Sequence, residues 1–241
     1  MDKTFPMKYQ GMSLRNMYGT AEYQTSIDSQ RYVLSEKFFR GETHYRLPDG
    51  FLLEIRTYAE MENKGSYDVR KAFLQKCTLW HDGCIFYEYL SSNAHIAPFK
   101  EWVLHQNGHR YYPFHVDLYG ISYLDLETRQ AYNFIPEGWQ HHAAYVLGES
   151  FLITDIHYNP AENLIAYGGC FWAGPGNVMV GDFSEPLHFS PKWIGMQELI
   201  DPDYDTYDEL DFHEWSAAHL ILKCGSLQTA YPIKELRKQL P

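Results

Sequence analysis

The sequence predicts an all-β protein made of antiparallel repeat sheets, and three observations carry that expectation. Short runs rich in β-branched and aromatic residues recur between clusters of Gly, Pro, Asn and Asp. Few windows hold a helical period of 3.6 residues for three turns. A stretch in the second half of the chain repeats itself at a fixed offset.

Taken in order, the first 40 residues are mixed and polar and support an edge strand or two at most. Strands are expected at Phe51 to Tyr58, Cys77 to Trp80, Cys84 to Leu90 and Gly120 to Leu126. Four more are expected at Phe151 to Tyr158, Leu164 to Gly168, Val178 to Phe183 and His219 to Lys223. Pro48-Asp49-Gly50, His81-Asp82-Gly83, Gln106-Asn107-Gly108 and the segment Asn159 to Asn163 are natural chain reversals between them. Short helices are expected at Ser66 to Lys76 and, after a helix-starting Pro, at Pro232 to Gln239.

A chain of 241 residues with 45% apolar and 21% charged residues is read as one β domain, 1–241, able to bury its own core. Its net charge of −11, from 31 acidic and 20 basic residues, opposes nucleic acid as a partner. No window approaches 18 apolar residues and the first residues lack a secretory pattern, so no membrane association and a cytoplasmic location are expected. Cys77, Cys84, Cys170 and Cys224 show neither a C-x-x-C pair nor zinc-ligand spacing, which reads as reduced, structural thiols.

The repeat aligns Asp155 to Gly169 on Asp211 to Gly225 without gaps, with six of fifteen positions identical at an offset of 56. Ser122-Tyr123-Leu124-Asp125-Leu126 and Met179-Val180-Gly181-Asp182-Phe183 lie 57 apart. About four units follow, the clearest near 150–195 and 206–236. The runs Phe151 to Pro160, Leu164 to Gly169 and Asn177 to Phe183 resemble three successive strands of a WD40-like β-propeller blade. That family ends its third strand in Trp-Asp; here Asp125 and Asp182 keep the acid, and Leu124 and Gly181 replace the Trp. The resemblance implies a small or irregular propeller-like stack, with a β-sandwich as the alternative.

Asp and His stand two residues apart as Asp155 and His157, as Asp211 and His213, and reversed as His115 and Asp117. On a strand such residues share a face. If the first strand of each blade lines a central channel, as the resemblance implies, the pairs become candidate metal ligands or carboxylate-oriented bases. The same pairs also suit a structural role, satisfying buried groups in every unit, and their recurrence favours it. Phe171 and Trp172, in a Gly-rich loop, are candidate stacking residues. His105 and His109, four apart, flank a turn and read as incidental. The acidic run Asp201 to Glu209 has calcium-like alternation, but Thr206 and Phe212 stand where an EF-hand needs Gly and Glu.

Function is expected to be that of a non-catalytic β scaffold binding a protein partner or a small polar ligand through loops at one end of its sheets. The alternative is a metal-dependent or acid-base enzyme using the Asp/His pairs on a small polar or sugar-like substrate. No particular cofactor is implied.

Overall fold

The structure, a computed structural model, describes residues 15–136, 151–171, 174–188, 193–201 and 205–240. It is all-β, with 50% of residues in strands and 15% in helices. The described strands form four antiparallel sheets, none closed into a barrel, and in each the spatial order is the chain order. The chain divides into two compact units, one of residues 16–104 and 109–135, the other of Arg15, 105–108 and the described residues from 136 onward.

The first unit opens with helix α1 (Ala21–Gln30), whose Thr20 hydroxyl caps it by accepting from the Tyr23 N–H at 3.3 Å. A helix here departs from the edge strands expected in the first 40 residues. Its apolar stripe is only Tyr23 and Ile27, one turn apart, and too thin to register as a period. Strands β1 (Phe39–Arg46), β2 (Leu52–Asn63), β3 (Asp68–His81) and β4 (Cys84–Ser91) then form a meander. Asp82 and Gly83, both at positive φ, make the two-residue turn between β3 and β4, which is why Asp-Gly stands there.

The helix expected at Ser66 to Lys76 is instead the start of β3. Val69 and Phe73 are strand formers, and the ladder from Asn63↔Asp68 to Leu52↔Trp80 supplies every alternate residue with a partner that an isolated short helix lacks. This hairpin outruns its neighbours. β1 joins β2 only as far as Tyr58, and β4 joins β3 only from Gln75, so Ala59–Asn63 and Asp68–Leu74 pair with each other alone. Val33, Tyr58, Ala72 and Leu74 pack at the root of this ribbon, whereas residues 61–71 are exposed. The second sheet holds β5 (Val103–Leu104), β6 (Arg110–Phe114), β7 (Ile121–Asp125) and β8 (Ala131–Phe134), with every residue of β7 buried.

In the second unit, β9 (Phe151–Asn159), β10 (Leu164–Phe171), β11 (Gly176–Asp182) and β12 (Ile194–Gly195) form one sheet. Helix α2 (Met196–Ile200) follows, then β13 (Asp211–Trp215), β14 (His219–Cys224) and β15 (Leu227–Pro232) form the other. Helix α3 (Ile233–Gln239) stands where it was expected after Pro232. The core is a product of two-residue periodicity: Leu164 and Ala166, Val178 and Val180, and Leu220 and Leu222 all point into one cluster with Ile233 and Leu236 of α3.

Two hairpins of this unit share their register next to the turn. Asn159↔Leu164 and Tyr158↔Ile165 in one hairpin fall on Trp215↔Leu220 and Glu214↔Ile221 in the other, at the same offset of 56. The two then diverge through bulges, at Gly168/Gly169 in the first and at Phe212/Glu214 in the second.

The first bulge explains one glycine. A Cβ on Gly169 would lie 1.8 Å from the Leu152 carbonyl oxygen, a distance only backbone movement relieves. Gly169→Ala is therefore expected to destabilise the protein by about 1–3 kcal/mol or more, the usual range for a forced overlap. Chemical denaturation followed by tryptophan fluorescence measures it, and an unchanged midpoint would contradict the bulge geometry.

Candidate functional site

Pleating gives the first sheet two chemically different faces. Glu42, His44, Glu54, Arg56, Lys76 and Glu88 share one, and there Lys76 pairs with Glu88 at 2.8 Å and Arg56 with Glu42 at 3.5 Å. The other face carries two adjoining cross-strand rows. One runs Thr43, Ile55, Cys77, Tyr89; the next runs Thr57, Gln75, Ser91. Over these rows lies a cavity of about 270 Å³, walled by the segment Asn93 to Pro98 and by Phe114 and His115.

Local chemistry builds that wall. The Asn93 side-chain oxygen Oδ1 accepts from the N–H groups of His95 and Ile96, both at 3.0 Å, while its Nδ2 donates to the Ile96 carbonyl at 3.0 Å. Ser91 on the floor accepts from the Asn93 N–H at 3.1 Å. The wall is tied to the second sheet by Ser92, whose N–H donates to the Val116 carbonyl at 3.0 Å and whose hydroxyl donates to Asp117 at 2.6 Å. His115 is 5% exposed, with Nδ1 3.2 Å from the Gly120 carbonyl and its ring 5.0 Å from that of Phe99. This pair lies on the loop between β6 and β7. His115 faces the cavity, and Asp117 holds its wall.

None of the sixteen lining residues is Asp, Glu, Lys or Arg. Burial pushes the Cys77 thiol up to about 12, only partly offset by its hydrogen bond with Tyr89. At neutral pH about one thiol in 10⁵ is then ionised, so Cys77 is a packing and weakly hydrogen-bonding group. Burial likewise holds the Tyr89 hydroxyl well above 10, in contact with Cys77 and Tyr112.

The other Asp/His pairs sit elsewhere. In β9, Asp155 is exposed and accepts from the Thr154 hydroxyl at 2.9 Å. The His157 ring stacks on Phe212 at 3.8 Å, and burial there lowers its pKa, with Asp155 opposing. Asp211 and His213 are exposed, and the bulge in β13 passes over His213, so the shared-face argument fails in this strand. Phe171 packs edge-on against Phe151 at 5.2 Å; Trp172 lies outside the described residues.

One Asp/His pair escaped the sequence. His109 Nδ1 lies 2.8 Å from Asp125, which is 2% exposed and also accepts from the N–H groups of Glu127 at 2.9 Å and Thr128 at 3.1 Å. Asp182, its repeat counterpart, plays the same part with Arg237 at 2.8 Å and the Ser184 N–H at 3.2 Å. The recurrent Asp at the strand end was legible; the cation each would take was not, because it comes from a distant turn or helix.

Among the described residues, two groups have metal-compatible spacing: His109 with Asp125 and Glu127, and Glu42 with His44 and Glu54. In the first, both Glu127 oxygens already accept from Arg110 at 2.7 Å. The second lies on the ion-paired face, where Arg56 competes for Glu42. The Asp201 carboxylate of the acidic run accepts from the N–H groups of Tyr207 and Thr206 at 2.8 Å and of Asp205 at 3.2 Å, and those bonds hold it below the usual carboxylate range. Neither a known protein family, nor a curated protein, nor a solved structure matches this chain.

Two outcomes follow. Asp117→Ala is expected to free Ser92 and speed amide exchange across 93–98 more than in β6 or β7; equal protection would show that Asp117 does not hold the wall. The His109 pair predicts a pH dependence. Its hydrogen bond with Asp125 holds the imidazolium above the ordinary 6.5, so its stabilisation is full below pH 6.5 and fades as pH rises through the raised pKa. Burial pushes Asp125 up, but bonds from His109, Thr128 and Glu127 outweigh it and leave it below 3.8, so its share is lost as pH falls through that lowered value. In Asp125→Asn, the NMR titration midpoint of His109 is expected to fall towards 6.5; an unmoved midpoint would remove the coupling.

Proposed function

We propose that this chain is a non-catalytic β scaffold whose cavity on the first sheet binds a small, uncharged polar molecule. The observation that carries the reading is the lining: hydroxyl, amide and imidazole groups beside aromatic and aliphatic surface, with no Asp, Glu, Lys or Arg among the described residues that line it. A charged ligand there would lose its hydration without gaining a counter-charge. A protonated Cys77 favours holding a ligand over thiolate chemistry on it. The four chain-ordered meanders, and the register shared by two of their hairpins, support reading the sheets as units of a propeller-like repeat.

A thermal-shift screen of small compounds grouped by charge tests the binding reading. Neutral polar compounds are expected to raise Tm, a ligand at 100 times its Kd contributing about 2.7 kcal/mol, while anions and cations of similar size do not. Ala94→Phe, which fills space at the wall, is expected to abolish the shift. Stabilisation by charged compounds alone, or a shift that survives Ala94→Phe, would overturn the proposal.

A further inference from the structure

We infer that the molecule this cavity takes is a polyhydroxylated ring of monosaccharide size, a sugar or cyclitol; this rests on the binding reading above and names its ligand class. The argument starts from the register of the floor. Thr57, Gln75 and Ser91 form a row in which every side chain both donates and accepts hydrogen bonds. Strands are about 4.8 Å apart, so this row offers such groups across about 10 Å. The neighbouring row, about 7 Å along the strands, is less polar at its centre, where Ile55 and Cys77 stand beside the ring of Tyr89.

A ligand lying on this floor meets an apolar strip and, parallel to it, a strip of two-way hydrogen-bonding groups. Carboxylates and phosphates only accept, and ammonium groups only donate, so each leaves half of that second strip unmatched. A hydroxyl both donates and accepts and rotates to suit, and a ring bearing several hydroxyls also has C–H surface for the apolar strip. Tyr89 and Phe114, with ring centroids 4.3 Å apart, add an aromatic edge to that surface.

Size agrees with this class. The cavity of about 270 Å³ has room for a hydroxylated six-membered ring. A flat heteroaromatic base has fixed donor and acceptor edges and no need of rotating partners, so it uses this floor less fully.

The test is NMR titration of the isotopically labelled full chain with D-glucose, D-galactose, D-mannose and myo-inositol at millimolar concentration. Uridine and nicotinamide serve as neutral comparators, and lactate and inorganic phosphate as charged ones. At least one polyol is expected to saturate, shifting the Gln75 side-chain amide and the backbone amides of 93–97. Gln75→Leu and Ser91→Ala, each checked for an unchanged fold by circular dichroism, are expected to weaken that binding about tenfold or more, while Lys76→Gln on the opposite face leaves it unaltered. Binding of uridine or nicotinamide at the same resonances with no polyol bound would overturn the ligand class and leave the neutral-ligand cavity standing, whereas binding of lactate or phosphate alone would overturn both. Silence from every compound, or polyol binding indifferent to both Gln75→Leu and Ser91→Ala, would overturn the class, and silence from every compound would overturn the cavity reading with it.

Discussion

The pairing register of the first sheet is the constraint from which the candidate site follows. Because side chains alternate across the pleat, one register sends Glu42, His44, Glu54, Arg56, Lys76 and Glu88 to one face and Thr57, Gln75, Cys77 and Ser91 to the other. A slip of one residue would exchange the two sets, placing charges over the cavity and a thiol among ion pairs. Two reversals oppose such a slip. The Asp82-Gly83 turn fixes β3 against β4, and the Pro48 to Gly50 reversal, closed by the Phe51 N–H on the Pro48 carbonyl at 3.1 Å, fixes β1 against β2.

Much of this architecture was legible because strand grammar is local. Alternating apolar residues and Gly-, Asp- and Asn-bearing turns marked β2, the second half of β3, β4, β7, β9, β10, β11 and β14, while the short strands β5, β6, β8 and β12 carry too few residues to show an alternation of their own. Helix α1 and the first half of β3 were not legible, since α1 buries only two residues and the ribbon of β2 and β3 is exposed along most of its length. Local pattern is weak where little is buried. The cavity was out of reach for another reason: its floor rows are sets of residues tens of positions apart, and only pairing brings Thr57, Gln75 and Ser91 together.

Side-chain contacts show carboxylates used mainly on the chain's own donors: Asp117 on Ser92, Asp125 on His109 and two amides, Asp182 on Arg237, Asp201 on three amides. A carboxylate satisfied by backbone N–H groups fixes a turn much as a staple would, and such turns follow β7, β11 and helix α2. The excess of acid in this sequence is thus partly architectural. The cavity meanwhile recruits neutral residues.

The ribbon of β2 and β3 beyond Tyr58 and Leu74 sets up a gradient along a single pair of strands. At one end each strand has two neighbours and an enclosed face; at the other, where Met61–Asn63 pair with Asp68–Arg70, each has one partner and stands exposed. Opening free energy must fall along that length from the value of the whole unit almost to zero. The pair therefore breathes from its tip inward, and the packed root at Val33, Tyr58, Ala72 and Leu74 is where that motion stops, short of the rows that face the cavity.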